Sequence, residues 1–375
     1  MNASAEQSRS VTLGQHVIVI ARWILVAAAL VLSLWLPESI DQLRLRIPVI
    51  LLLAVGNFYL HAQLLRRKPV INTVAYAASA ADFFVITLLI ASEGGFKSGI
   101  FIFYFPALLG IALAFPTMLA LTYLATVVAI YGGMAFGSAP AGSADVVIVR
   151  LLMLASIAVC GNLYWRIERD RRSAAVQPLR TPAQEAAEDL FFGQDVLIWA
   201  RWFVIAAGTI VILSTAQTTG ELSTRILLIV ALMAINFFLH GRYLMERPAN
   251  QAVLVAVSVI ELAVFTAIVV AWNAQGALKS PLFVIYYPAL LAFALVFPPR
   301  IALPYAALAI GGYTLACVLG GHSFLTAIDM KTLVVRVITL ASVAGLGTYY
   351  WRIERDRRRS PAKVERWASS VASAS

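Results

Sequence analysis

The stretch YWRIERDRR fills positions 164–172 and returns unchanged at positions 350–358. An identity of nine residues, placed both times where an apolar run gives way to charge, marks a duplicated unit. Outward from it, other pairs keep the same order. Ala21-Arg22-Trp23 returns as Ala200-Arg201-Trp202, Asn57-Phe58-Tyr59-Leu60-His61 as Asn236-Phe237-Phe238-Leu239-His240, and Asp82 stands opposite Glu261. Lys97-Ser98 matches Lys279-Ser280, Tyr104 and Pro106 match Tyr286 and Pro288, Pro116 matches Pro298, and Arg150 matches Arg336. The offset grows from 179 through 182 to 186, which places small insertions in the loops.

Between these landmarks the chain is too apolar for a soluble domain: 61% of its 375 residues are hydrophobic and 13% charged, against about a quarter charged in soluble proteins. Its apolar runs approach the ~20 residues that cross about 30 Å of hydrocarbon. Pro, Gly and charge punctuate them into helices at 16–36, 47–65, 73–91, 99–115, 117–137 and 146–165 in the first copy. The second copy gives 195–215, 226–244, 252–271, 281–297, 301–319 and 332–351. The expected fold is an all-α polytopic membrane protein of 12 transmembrane helices in two six-helix repeats. Six is even, so both copies insert the same way and the repeats are parallel.

The net charge of +10 does not point to nucleic acid, because Lys and Arg sit in short blocks between apolar runs rather than along one face. With the N-terminus inside, the inner segments hold 19 Lys and Arg and the outer loops six, so both termini are expected to be cytoplasmic. The apolar run after MNASAEQSRSVTLGQ lacks a small-residue cleavage site and reads as a spanning helix rather than a cleaved signal. The resulting units are a cytoplasmic N-terminus (1–15), a first membrane repeat (16–166), a cytoplasmic connector (167–194), a second membrane repeat (195–352) and a basic cytoplasmic tail (353–375). Pro178 and Pro182 are expected to break the connector. Cys160 and Cys317 lie inside apolar segments and form neither a disulfide framework nor a metal site.

Polar residues inside apolar helices are the candidate site. Asp82 and Glu261 fall near the middle of the third helix of their copy, where a carboxylate is costly and marks a ligand or proton path unless it is paired. The structural alternative is a neutral acid hydrogen-bonded to Asn57 or Asn236. Arg22 and Arg201 either snorkel to the interface or form ion pairs within the bundle. Arg150 and Arg336 face the same alternatives, with a third in which Arg150 and Lys97 hold an anion near the outer face; Arg336 and Lys279 are their counterparts in the second copy and candidate ligand-binding residues with them. His61 and His240, equivalent by the repeat, have the residue type for axial haem ligands but sit at wet helix ends. Tyr104, Tyr286, Trp165 and Trp351 read as interfacial anchors. No P-loop, H-E-x-x-H, G-x-S-x-G or kinase glycine box occurs, so no catalytic residue and no enzyme activity are expected.

In order, each copy shows Ala-Arg-Trp opening the first helix, Asn57 with the basic exit Arg66-Arg67-Lys68, an acid in the third helix, Gly94-Gly95-Phe-Lys-Ser-Gly-Ile-Phe with Tyr104 and Pro106, and the charged exit from Arg166 to Arg172. This order resembles the membrane sensor region of bacterial histidine kinases with a six-helix input domain, here present twice. The resemblance implies a bacterial inner-membrane protein and, through the outer Gly-Gly segment followed by Ser/Asn-Pro-Phe, quinone as a candidate ligand. The first copy has Gly99 where proline would stand, and the second keeps Ser280-Pro281-Leu282-Phe283 but has Gln275-Gly276 for the double glycine. No autokinase activity is expected: after Arg358 this sequence offers RSPAKVERWASSVASAS, and the four histidines (His16, His61, His240, His322) lie elsewhere.

Three function classes follow. The first is a non-catalytic, sensor-like protein that detects a lipid-soluble or membrane-associated signal, or serves as a membrane subunit. Such a protein would act on a protein partner or a second copy of itself through Arg166, Glu168, Arg169 and Arg172 with Arg352, Glu354, Arg355 and Arg358. The second is a 6+6 solute transporter, although the loop from Arg66 to Asn72 lacks the Gly and Asp of major-facilitator carriers. The third, an electron-transfer or photosynthetic subunit, rests on the histidine pair. No cofactor is predicted; haem and quinone are the two that these features would admit, and membrane lipids are the surrounding partner.

Overall fold

The computed structural model describes residues 19–30, 40–65, 72–173, 182–215, 219–245, 249–271, 278, 280–319 and 327–372. Among them every regular element is helical. The α-helices are α1 (Val19–Leu30), α2 (Ile40–Leu65), α3 (Asn72–Ser92), α4 (Tyr104–Ala114), α5 (Thr117–Ser138), α6 (Ala144–Ser173), α7 (Pro182–Thr215), α8 (Thr219–Leu244), α9 (Gln251–Ala271), α10 (Tyr286–Val296), α11 (Pro299–Leu319) and α12 (Ala327–Ala372). Eight of these, α3, α5 to α9, α11 and α12, are long and apolar enough to cross a membrane.

Local sequence sets the breaks. Gly94 and Gly95 turn the chain after α3 with φ of 87° and 64°, a region that costs a side chain dearly. Ser98 then accepts a hydrogen bond from the Ile100 amide and starts the 3-10 turn Gly99–Phe103; Ser280 does the same for Leu282 and Pro281–Ile285. The sequence reading took 99–115 and 281–297 as uniform spanning helices. Instead each opens with five residues of 3-10 geometry and continues as 11 α-helical residues before Phe115-Pro116 or Phe297-Pro298 ends it, since proline donates no amide to continue the ladder.

α4 and α10 are apolar on every side, and all of α10 and nearly all of α4 are buried, as fits helices at the centre of a bundle. α6 packs on α4, α12 packs on α10, and each also reaches the opposite half, α6 touching α10 and α12 touching α4. Between the halves Phe105 stacks on Tyr287 at 4.2 Å between ring centroids, Phe101 meets Phe283 at 6.3 Å, and Tyr164 meets Tyr350 at 5.8 Å. The outer helices turn large apolar side chains outward: Leu52 and Phe58 on α2, Phe84 on α3, Met118 on α5, Phe237 on α8 and Leu303 on α11 are all exposed. So much outward apolar surface, on helices of spanning length, marks a membrane protein.

The connector is more ordered than its polar composition implied. α6 runs to Ser173 and α7 already begins at Pro182, because proline at a helix start loses no hydrogen bond; Pro182 opens a helix rather than breaking one. Phe191 stacks on Tyr243 at 4.7 Å, and Gln194 donates to the Leu239 carbonyl at 2.9 Å while accepting from the Ala249 amide at 2.9 Å. The end of the 167–194 segment therefore belongs to the packed bundle. The N-terminus 1–15, Pro178 and the basic exit Arg66-Arg67-Lys68 lie outside the described residues.

Candidate functional site

The two mid-helix acids are both ion-paired, in matching places. Arg22 on α1 approaches Asp82 on α3 with Nη2 and Oδ1 3.0 Å apart, and Arg201 on α7 approaches Glu261 on α9 with Nε and Oε2 2.8 Å apart. All four residues are buried. This corrects the expectation that Asn57 and Asn236 hold the acids. Asn57 Nδ2 donates to the Val19 carbonyl at 3.2 Å and Asn236 Nδ2 to the Ile198 carbonyl at 3.3 Å, which ties α2 to α1 and α8 to α7. A guanidinium wins the acid because it supplies a full opposite charge on a side chain long enough to bridge two helices. Arg22 and Arg201 accordingly turn into the bundle and do not snorkel.

The two pairs are not equal. The longer Glu261 meets Nε of Arg201, while Nη2 donates to Ser258 Oγ at 3.0 Å, leaving Nη1 without a partner. With the shorter Asp82, Arg22 keeps Nε and Nη1 unpartnered, as is the hydroxyl of Ser79.

A second matched arrangement sits toward the loop end of the bundle. Arg150 Nη1 donates to the Phe96 carbonyl at 2.8 Å and to the Tyr131 hydroxyl at 3.0 Å; Arg336 Nη1 donates to the Leu278 carbonyl and the Tyr313 hydroxyl, both at 2.7 Å. Each guanidinium also lies over a ring, Arg150 4.2 Å from the Phe101 centroid and Arg336 3.6 Å from that of Phe283, a favourable cation–π geometry. These arginines pin the loop before α4 or α10 onto the neighbouring helices. Lys97 is exposed, while Arg150 donates to the Phe96 carbonyl; Lys279 lies outside the described residues.

Tyr104 and Tyr286 are fully buried, not interfacial. Their hydroxyls share hydrogen bonds with Thr87 at 2.6 Å and Thr266 at 2.7 Å, a feature of helices packed against α3 and α9. Trp165 and Trp351 are half-buried on α6 and α12. His61 Nδ1 accepts the Trp23 indole N–H at 3.0 Å. No group of three or more His, Cys, Asp and Glu that could hold a metal occurs among the described residues. Among the described residues, the ion pair of Arg46 with Glu93 at 3.3 Å, with Ser98 donating to the other Glu93 oxygen at 2.8 Å, was not foreseen from the sequence. An acid just before Gly94-Gly95 and a base near the start of α2 were the available signal.

The exits lie on unbroken helices. Arg166 on α6 and Arg352 on α12 are exposed, and Arg355 lies over the Trp351 ring at 4.9 Å. Glu168, Arg169, Arg172, Glu354 and Arg358 stand on the same helices, their side chains outside what the structure describes. No family model, curated protein or solved structure matches this chain.

Proposed function

We propose that this chain is a sensor-like integral membrane protein without catalytic activity, which detects a lipid-soluble or membrane-associated signal and passes it to a protein partner through its charged exit helices. The observation that carries this reading is the course of α6 and α12. Each packs beside the central helix of its half, meets the other at Tyr164 and Tyr350, and continues as one helix into the repeated charged segment. A helix is stiff over such lengths, so a packing change at the centre displaces the exits as well. The space between the halves, where a 6+6 carrier holds its solute, is filled here by Phe101, Phe105, Phe283 and Tyr287. That filling favours the sensor over the transporter.

In this reading the chain crosses a bacterial inner membrane with 12 helices in two parallel repeats and keeps both termini in the cytoplasm. Alkaline-phosphatase fusions should be inactive after residue 175 and active in the outer loops; activity after residue 175 ends the parallel-repeat arrangement. Crosslinking in native membranes should capture a stoichiometric partner. Charge reversal at Arg166, Arg169 and Arg172 together with Arg352, Arg355 and Arg358 should release it while the bundle stays folded. Capture unchanged by the reversal reduces these residues to topology anchors, and solute flux into liposomes by the purified chain replaces the sensor by a carrier.

A further inference from the structure

Three pairs of residues matched by the sequence repeat also touch each other: Phe101 with Phe283, Phe105 with Tyr287, and Tyr164 with Tyr350. The helix contacts are reciprocal as well, α6 on α10 and α12 on α4. Matched residues meet one another beside a two-fold axis, so the contact between the halves has the isologous form of a homodimer interface. The third pair stands where α6 and α12 pass into the charged exits. There the two helices share the same rotation: Tyr164 and Tyr350 are buried, Arg166 and Arg352 are exposed, and Ile167 and Ile353 lie half-buried against the core. The exits carry nine identical residues, while the halves differ even at the axis, where Phe105 faces Tyr287, and at the buried acids Asp82 and Glu261. Fixing the topology of the chain does not call for that identity. It needs Lys and Arg in any order and gains nothing from Glu168, Asp170, Glu354 and Asp356.

We infer that the two exits dock a homodimeric cytoplasmic protein, one subunit to each exit, with its two-fold axis continuing the one between the halves. Identical sequences in matched settings around a two-fold axis are met by identical sites around a two-fold axis, and a homodimer supplies these. Each RIERDRR segment holds four arginines against two acids, so the face that each subunit brings to its exit is acidic. The inference rests on the reading of the chain as acting on a protein partner, and it adds that partner's symmetry and charge.

The test uses the full chain in native membranes, with the photoreactive amino acid p-benzoylphenylalanine replacing Arg166 or, in a separate protein, Arg352. Each replacement leaves most of the exit charge in place. Peptide mapping should find both positions joined to the same segment of the partner, and native mass spectrometry of the extracted complex should count two partner subunits per chain. Arg166, Arg169 and Arg172 changed to Glu in the first exit alone, or Arg352, Arg355 and Arg358 in the second alone, should weaken capture by similar factors. The expected size is roughly a hundredfold, as when two linked contacts become one. Different partner segments at 166 and 352, a single partner subunit per chain, crosslinks to another copy of this chain, or a loss on reversing one exit but not the other overturns the two-fold docking and leaves the sensor reading standing. Absence of any partner ends both.

Discussion

Glu261→Ala should destabilise the bundle by about 3–5 kcal/mol, the usual result of removing one member of a buried ion pair. The variant leaves the Arg201 guanidinium buried without its counter-charge, in a part of the chain that crosses hydrocarbon. Reversible unfolding of the purified chain in mixed micelles measures it. Glu261→Gln keeps the shape and one acceptor, so its loss should be smaller. The decisive comparison is the double variant Arg201→Met with Glu261→Met, which removes both charges and keeps the volume; it should recover most of the loss, because a buried pair costs nearly as much desolvation as it returns in attraction. Asp82→Ala should act in the same direction but more weakly, since its single contact with Arg22 already leaves two guanidinium nitrogens unpartnered. A Glu261→Ala protein as stable as the parent removes the ion pair from the account of the fold.

If the proposed sensor reading holds, partner capture separates stability from signalling. If the pairs serve only as polar links between α1 and α3 and between α7 and α9, the folded Asp82→Asn and Glu261→Gln proteins should still engage the partner. If charge at these positions sets the packing that the exits report, both variants should fold and fail to respond.

What could be read without a structure was the part governed by one-dimensional pattern. Apolar run length, with Pro and Gly as punctuation, placed the apolar stretch of most helices, although α2, α6, α7, α8 and α12 run seven or more residues past it at one end, and the repeat paired Arg22 with Arg201, Asp82 with Glu261 and Arg150 with Arg336 as equivalent positions. The partners of these residues were less legible, because they come from other helices at separations such as the 60 residues between Arg201 and Glu261. Spacing within one helix carries no information about which neighbour a long side chain reaches, so the acids were matched to asparagines that in fact bind backbone carbonyls. The depth of Tyr104 and Tyr286 was missed for a related reason. Next to a loop a tyrosine looks like an anchor, and only the packing of α4 and α10 against α3 and α9 turns its hydroxyl inward to threonine.

Gly347→Ala should destabilise the protein by about 1–3 kcal/mol, the cost of overpacking a filled core, although alanine is the better helix former by about 1 kcal/mol. A methyl group at Gly347 would lie 2.9 Å from the Ala294 side chain and 3.7 Å from its backbone carbon; at Gly161 it would lie 2.9 Å from that of Ala112 and 3.9 Å from backbone. The obstacle in each case is a short side chain on a buried helix that cannot swing aside, so α12 must move off α10, or α6 off α4. Gly345 supplies the internal control: it is exposed on the same helix with nothing within 4 Å of an added carbon, so Gly345→Ala should be neutral or slightly stabilising. Opposite signs two residues apart cannot come from helix propensity, and similar effects at Gly345 and Gly347 would show that the close approach of α12 to α10 is wrong. Gly347→Leu should exceed what local adjustment can absorb and prevent assembly. If the charged exits on α6 and α12 do engage a partner as proposed, Gly161→Ala and Gly347→Ala proteins that fold should capture it less well, whereas the Gly345→Ala protein should capture it normally.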